Sequence, residues 1–263
     1  MKLDHVDNGN LFDWGKTSHD YAAYRPGYPE EFYDLLSRLG IGVPGQKILD
    51  LGTGTGVLAR VFARQGALVT GVDIAEDQIQ EARRLSVEEQ LEITYLVSKA
   101  ENIDFPPDSF DAATAGQSWM YFDARLLVPK LKRILKDRGR LVLTHLGWLP
   151  RRDPIARLSE ALVLKFNPRW TGADYDGTTP PELMESLAAF RLTTFHTYES
   201  ALPFSRESWR GRIRACRGVG ASLPPERVVE FDREHTALLE KIAPPEFTIL
   251  HQIVLHIFEN VKS

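Results

Sequence analysis

Ile48-Leu49-Asp50-Leu51-Gly52-Thr53-Gly54-Thr55-Gly56, followed by Val57, is the stretch that decides the reading of this 263-residue chain. An apolar run ends in three glycines separated by single residues, and sequence of helical period begins at once. This is the pattern of a strand, a sharp turn and a helix N-terminus. Glycine enters the left-handed region without a steric penalty and lets a ligand come close to the backbone. The next apolar run, 68–73, closes on Asp73. It lies about 20 residues after the turn, where a carboxylate can accept hydrogen bonds from both hydroxyls of a ribose. A dinucleotide turn reads G-x-G-x-x-G/A and calls for Gly or Ala at position 57, where this chain has Val57. Asp50 argues in the same direction, because a carboxylate repels a pyrophosphate and attracts an ammonium. The expected ligand is a nucleoside that carries a cation.

Outward from this turn, short apolar runs alternate with helix-period segments, which predicts a mainly parallel sheet with crossover helices. Strands are expected at 47–51, 68–73, 92–97, 110–115 and 140–145, and helices at 57–65, 75–85 and 125–135. Pro129 falls inside the last of these, so that helix is expected to start late or to bend. A further helix at 29–39 carries Phe32, Leu35, Leu36 and Leu39 on one stripe. Beyond Leu149 the spacing predicts a helix at 150–167, a Gly-, Pro- and Asp-rich loop at 168–181, and strands at 191–201 and 248–259 with a helical insertion between them. The chain 1–263 is read as a single elaborated domain. Residues 1–45 form a lid and helix, 46–149 the ligand-binding core, and 150–190 with 203–246 a helical cap.

Composition narrows the function. With 43% hydrophobic and 26% charged residues the chain is not a disordered one. Its formal net charge is −4 and its isoelectric point about 6.0, without the basic field that long nucleic acids require, so no nucleic-acid partner is expected. A single cysteine, Cys216, allows no internal disulfide and no cysteine-based zinc cage. No run approaches the ~20 apolar residues of a membrane span, and 1–10 is too polar for a secretory signal, so no membrane association and a cytoplasmic location are expected.

The segment Asp50 to Gly56, taken with Gly71-Val72-Asp73, resembles the binding signature of class I S-adenosylmethionine-dependent methyltransferases. The resemblance continues at Lys99-Ala100-Glu101, at Pro107-Asp108-Ser109-Phe110-Asp111 and at Arg133-Ile134-Leu135-Lys136, and it spans about residues 12 to 146. Tyr21-Ala22-Ala23-Tyr24-Arg25-Pro26-Gly27-Tyr28-Pro29 is similar to the opening of a small-molecule subgroup that includes trans-aconitate-type methyltransferases. The resemblance implies an α/β fold: a Rossmann-like seven-stranded sheet of order 3-2-1-4-5-7-6, its last strand antiparallel, with the cap added. It implies S-adenosyl-L-methionine as cosubstrate. Gly52, Thr53 and Gly54 would lie against its methionine and ribose portions, with Asp50 near the methionine end. Asp73 would hold the ribose diol and Ile74 would pack on adenine. Ala100 and Glu101 would border the adenine edge, the backbone near Gln117 would face the methionine amine, and Tyr24 and Arg25 would line the methionine carboxylate. Two positions depart from the family: Lys99 stands where many members have an acid, and Met120 where relatives with this opening have a histidine. Methionine takes no proton, so a mechanism using that histidine as base is not available here.

Acceptor-pocket residues are sought where the chain leaves the carboxyl ends of strands. Trp119, Met120 and Tyr121 follow strand four, and His145 and Trp148 follow strand five. Trp119 and Tyr121 are candidate pocket walls, with core packing the equal competitor. His145 is the candidate catalytic base, against a purely structural histidine. Arg206, Arg210, Arg214 and Arg217 recur at helical spacing beside Trp209, Ile213 and Cys216. With Arg214 turned inward the stripe would bind an anionic substrate; turned outward it would be a solvated face. His251 and His256 are five apart on a strand, point to opposite faces, and offer no metal site. The function expected is methyl transfer to a small-molecule acceptor by in-line displacement, catalysed chiefly by proximity and orientation. The alternatives are a non-catalytic relative that retains the nucleoside site, and a nicotinamide-dependent oxidoreductase.

Overall fold

The computed structural model describes residues 1–262. Seven strands form one sheet: β1 (Lys47–Leu51), β2 (Leu68–Asp73), β3 (Ile93–Val97), β4 (Phe110–Gly116), β5 (Leu135–Trp148), β6 (Arg191–Ser205) and β7 (Glu246–Glu259). Their order is β3-β2-β1-β4-β5-β7-β6, as the sequence implied. The first five strands are mutually parallel. β7 runs antiparallel to β5: Arg138 N–H donates to Asn260 O and Asn260 N–H to Gly139 O, both at 2.8 Å, and Leu149 N–H donates to Leu250 O at 2.9 Å. Between strands lie α1 (Ser18–Tyr24), α2 (Glu30–Arg38), α3 (Val57–Arg64), α4 (Glu76–Glu88), α5 (Ala124–Ile134), α6 (Pro154–Phe166), α7 (Pro181–Ser186), α8 (Arg206–Arg214) and α9 (Pro225–Ile242).

The parallel strands are apolar on both faces, as a sheet covered by helices on each side requires. Ile48, Leu49 and Leu51 of β1 are all fully buried. On one face Leu49, Leu51, Ala113, Ala115, Leu141 and Leu143 pack with Leu127, Leu131 and Ile134 of α5 and with Phe258 of β7. Each such side chain contributes roughly 1.5–3 kcal/mol by leaving water, so the face fixes α5 against the sheet.

The chain divides into two compact units, a finer partition than the single domain expected. The first comprises residues 1–26, 147–178 and 199–252; the second comprises 27–146, 179–198 and the chain from Ile253 onward. The expected lid at 1–45 is thus split at Pro26, and 179–190 of the expected cap belongs with the parallel strands. Two element boundaries also differ. α5 begins at Ala124 and contains Pro129, so the proline neither delays the helix nor ends it. As the sixth residue of α5 it removes the bond to the carbonyl of Arg125 and crowds that carbonyl, a cost the buried face of Leu127, Val128, Leu131 and Ile134 offsets. β5 begins at Leu135 rather than at 140, because Asn260 Nδ2 donates to the carbonyls of Lys132, Leu135 and Lys136 and holds that edge.

Candidate functional site

In the second unit the carboxyl ends of β1, β2 and β4 meet where the strand order reverses, the place where open α/β sheets bind ligands. β1 hands over to the glycine turn, and Gly52, Gly54 and Gly56 all have positive φ, at 64°, 56° and 78°. At Gly52 a side chain is also sterically barred: a Cβ there would lie 2.5 Å from Ser118 Cβ. Ser118 Oγ donates to Leu51 O at 2.7 Å, so the loop after β4 is fastened directly onto the end of β1. Gln117, just before it, adopts φ 58° and donates its N–H to Thr144 O at 2.8 Å. A left-handed residue with a Cβ is uncommon and tends to mark a site under functional constraint.

Two carboxylates organise this mouth. Asp50 is 2% exposed; its Oδ2 accepts from Thr53 Oγ1 and its Oδ1 from Thr114 Oγ1, each at 2.6 Å. Burial pushes its carboxyl up to about 6 against the pull of those two hydroxyls, and the Asp73 charge pushes the same way. Asp73 at the end of β2 accepts from Gly54 N–H and Ala75 N–H, both at 2.9 Å, so it clips the glycine turn to the start of α4. Burial raises its carboxyl as well, while the backbone donors of Ala75, Gly54 and Ile74 lower it. Two carboxyls at one mouth make it electronegative and suited to a ligand bearing positive charge. Beside it Ile74 is 38% exposed, an apolar surface for a flat heterocycle. Ala100 is buried, and Glu101 spends one oxygen on Asp123 N–H at 2.7 Å, at the head of α5.

Trp119 is 6% exposed and packs in the core with Leu127 and Phe190, edge-on to Phe122 at 6.0 Å, which is the core-packing alternative of the two weighed for it. Of its neighbours, Tyr121 is half-buried and Met120 is 42% exposed. His145 is half-buried inside β5, which continues to Trp148.

Tyr24, Arg25, Trp148 and Arg214 belong to the first unit. There Tyr24 Oη approaches Glu207, and the Arg25 guanidinium lies 4.7 Å over the Tyr21 ring. Arg214 binds Asp20 through two nitrogens at 2.8 and 2.9 Å and Asp232 at 2.7 Å, which raises its pKa further. The rest of the stripe is likewise engaged: Arg206 with Ala243 O, Arg210 with Asp232, and Arg217 with Asp7. It is neither a solvated face nor free for an anion, so the anion-binding role expected of Arg214 has no support. Sequence reasoning passed over Arg212. It lies three residues after Trp209 and next to Ile213, on the apolar face with Cys216, and a guanidinium at helical spacing with a core tryptophan was the available signal. Ser118 and Thr114 were also passed over, and no sequence signal marks a hydroxyl that meets its partner only across the sheet.

The strand order and the two acids behind a glycine turn define a Rossmann-like protein with a mouth suited to a ligand carrying positive charge. A family described as "Methyltransferase domain" matches residues 49–143. A ubiquinone biosynthesis O-methyltransferase of Xanthomonas campestris pv. campestris (strain B100) is 30% identical over 176 residues, covering 66% of this chain and 72% of the relative. In fold, the chain is similar to the YcgJ protein from Bacillus subtilis (TM-score 0.56, 21% identity, 89% of this chain and 100% of that one). It is also similar to geranyl diphosphate C-methyltransferase from Streptomyces coelicolor A3(2) (TM-score 0.50, 19% identity, 88% and 78%). The chain belongs to the class I S-adenosylmethionine-dependent methyltransferases, and S-adenosyl-L-methionine is its cosubstrate. The oxidoreductase and non-catalytic alternatives fall away with that assignment.

Proposed function

We propose that this methyltransferase acts on a small-molecule acceptor by in-line displacement, with the cosubstrate held at the carboxyl ends of β1, β2 and β4. The observation that carries the reading is the pair Asp50 and Asp73, two carboxyls set at one mouth, the first held by Thr53 and Thr114 and the second by the N–H groups of Gly54 and Ala75. The relatives in Xanthomonas are named for O-methylation in ubiquinone biosynthesis, which supports a small acceptor. The opening at 21–29 supports the small-molecule subgroup.

S-adenosylmethionine supplies a methyl carbon activated by an adjacent sulfonium, so the protein has chiefly to align and to exclude water. Asp73 would accept from the ribose hydroxyls while keeping the turn in place through Gly54. Asp50, closed in by Thr53 and Thr114, would act on the methionine end by charge rather than by direct contact. Gly52, Thr53 and Gly54 would line the ribose and methionine, and Ile74, Ala100 and Glu101 the adenine. The backbone at Gln117 would face the amine. A carboxylate acceptor needs no base; for a hydroxyl acceptor His145 is the proton acceptor we assign.

Calorimetric titration with S-adenosylhomocysteine, with NADH as control, tests the reading. Tight binding of the first and none of the second is the expected result, followed by turnover in a screen of acids, amines, phenols and catechols. Binding of NADH alone, or of neither, overturns it.

A further inference from the structure

Arg212 sits in α8 at 5% exposure, and its Nε and Nη1 are buried with no hydrogen-bond partner among the described residues. It differs in this from Arg206, Arg210, Arg214 and Arg217, each of which has an oxygen partner. The Trp148 ring lies 4.8 Å from its Cζ, and Trp148 is held in turn by Nε1 donating to Glu160 at 2.6 Å. That carboxylate is already spent, since its other oxygen takes Asp174 N–H at 2.9 Å. The titratable groups that act on Arg212 are Arg25, Tyr21 and Cys216. None supplies a negative charge at neutral pH: Arg25 is a second cation, Tyr21 is a phenol, and burial pushes the Cys216 thiol up to about 11. Burial and the Arg25 charge bring Arg212 itself down to about 9, still protonated near pH 7. Arg25 is half-buried, and its guanidinium contacts only the Tyr21 ring among the described residues.

An aromatic face steadies a guanidinium but leaves its N–H donors unanswered, and an uncompensated buried charge is expensive. Guanidinium donors lie in one plane and match the oxygens of carboxylates and phosphates. We propose that Arg212, assisted by Arg25, is an oxyanion site contained in the first unit, which takes a small molecule bearing a carboxylate or phosphate. This inference goes beyond the methyltransferase reading and stands without it.

The test uses the full chain saturated with S-adenosylhomocysteine and three probes of one shape: benzoate, phenyl phosphate and benzamide. Binding of benzoate or phenyl phosphate, with benzamide silent, is the expected result, and the stronger of the two oxyanions identifies the ligand's group. In Arg212→Gln the oxyanion affinity falls at least tenfold while S-adenosylhomocysteine affinity changes less than twofold, and Arg212→Lys retains part of the oxyanion affinity. Because Arg212→Gln and Arg212→Met remove an unbalanced charge, both melt no lower than the parent, so lost binding is not lost folding. Equal binding of benzamide, no probe binding at millimolar concentration, or undiminished oxyanion binding in Arg212→Gln overturns the proposal. A tenfold loss of S-adenosylhomocysteine affinity in Arg212→Gln overturns it too, by giving the arginine to the cosubstrate's carboxylate. If the parent binds benzoate but not S-adenosylhomocysteine, the oxyanion site stands and the methyltransferase reading is what fails.

Discussion

Asp50 carries a cost in the free protein that the cosubstrate, placed as proposed, would relieve. Its carboxyl is pushed up to about 6, so between about pH 4 and 6 the native chain keeps a proton that the unfolded chain has released. Stability from this group therefore falls as pH rises through that window and levels off above 6, at a cost of roughly 3 kcal/mol. Asp50→Asn should raise the melting temperature of the free chain at pH 7, lose about half of that advantage at pH 5 and most of it at pH 4; an equal difference at all three pH values would refute the burial argument. The same protonation should weaken S-adenosylhomocysteine binding in the parent as pH drops through 6. Asp73 acts differently, because it holds Gly54 and Ala75 as well as the proposed ribose. Asp73→Ala should reduce cosubstrate affinity by roughly 1.5–3 kcal/mol, the range for hydrogen bonds to a charged group. Calorimetry reads this directly, and unchanged affinity would remove Asp73 from the ribose.

Among elements, the turn after β1 is where local sequence and tertiary contact agree. A Cβ at residue 52 would meet Ser118 Cβ at 2.5 Å, and φ is 64°. Gly52→Ala should abolish detectable S-adenosylhomocysteine binding, and adding Ser118→Gly, which clears the clash but not the φ cost, should restore it in part. The 3-10 turn at Trp119–Tyr121 makes a contrasting case, with its tryptophan serving the core. Trp119→Ala should cost about 3–5 kcal/mol in urea unfolding whatever the acceptor, as cavity creation does; a normal midpoint with impaired turnover would return Trp119 to the pocket. β1 and β2 were legible to the residue, since each apolar run stops at a glycine or an acid with a structural task. α7 was not, because six residues carry too little periodicity, and only Leu183 and Met184 lying on the core reveal its inner face. The start of β5 was hidden for the same kind of reason: its polar edge is ordered by Asn260, more than a hundred residues away.

At the scale of the whole molecule, the composition of the first unit could not be read from periodicity. Its three chain segments are joined by charges whose partners are remote in sequence. Asp7 is fully buried, accepts from Arg217 Nε at 2.7 Å and from Thr171 N–H at 2.8 Å, and so binds the N-terminal segment to the other two. Asp20 does likewise through Arg214. The sequence marks 1–10 as merely polar, since nothing local says that one of its acids is to be paired. Asp7→Ala leaves Arg217 nearly buried without its carboxylate, and should destabilise by about 3–5 kcal/mol, seen as a lowered melting temperature. This placement also orders events in time. Residues 27–146 carry the five parallel strands in one continuous stretch and can begin to fold while the ribosome is still at work. The Asp7 carboxylate, by contrast, needs a guanidinium 210 residues further along the chain. It stays hydrated until that arginine has been made and brought to it, so the closing of the first unit waits on a contact of the slow, non-local kind.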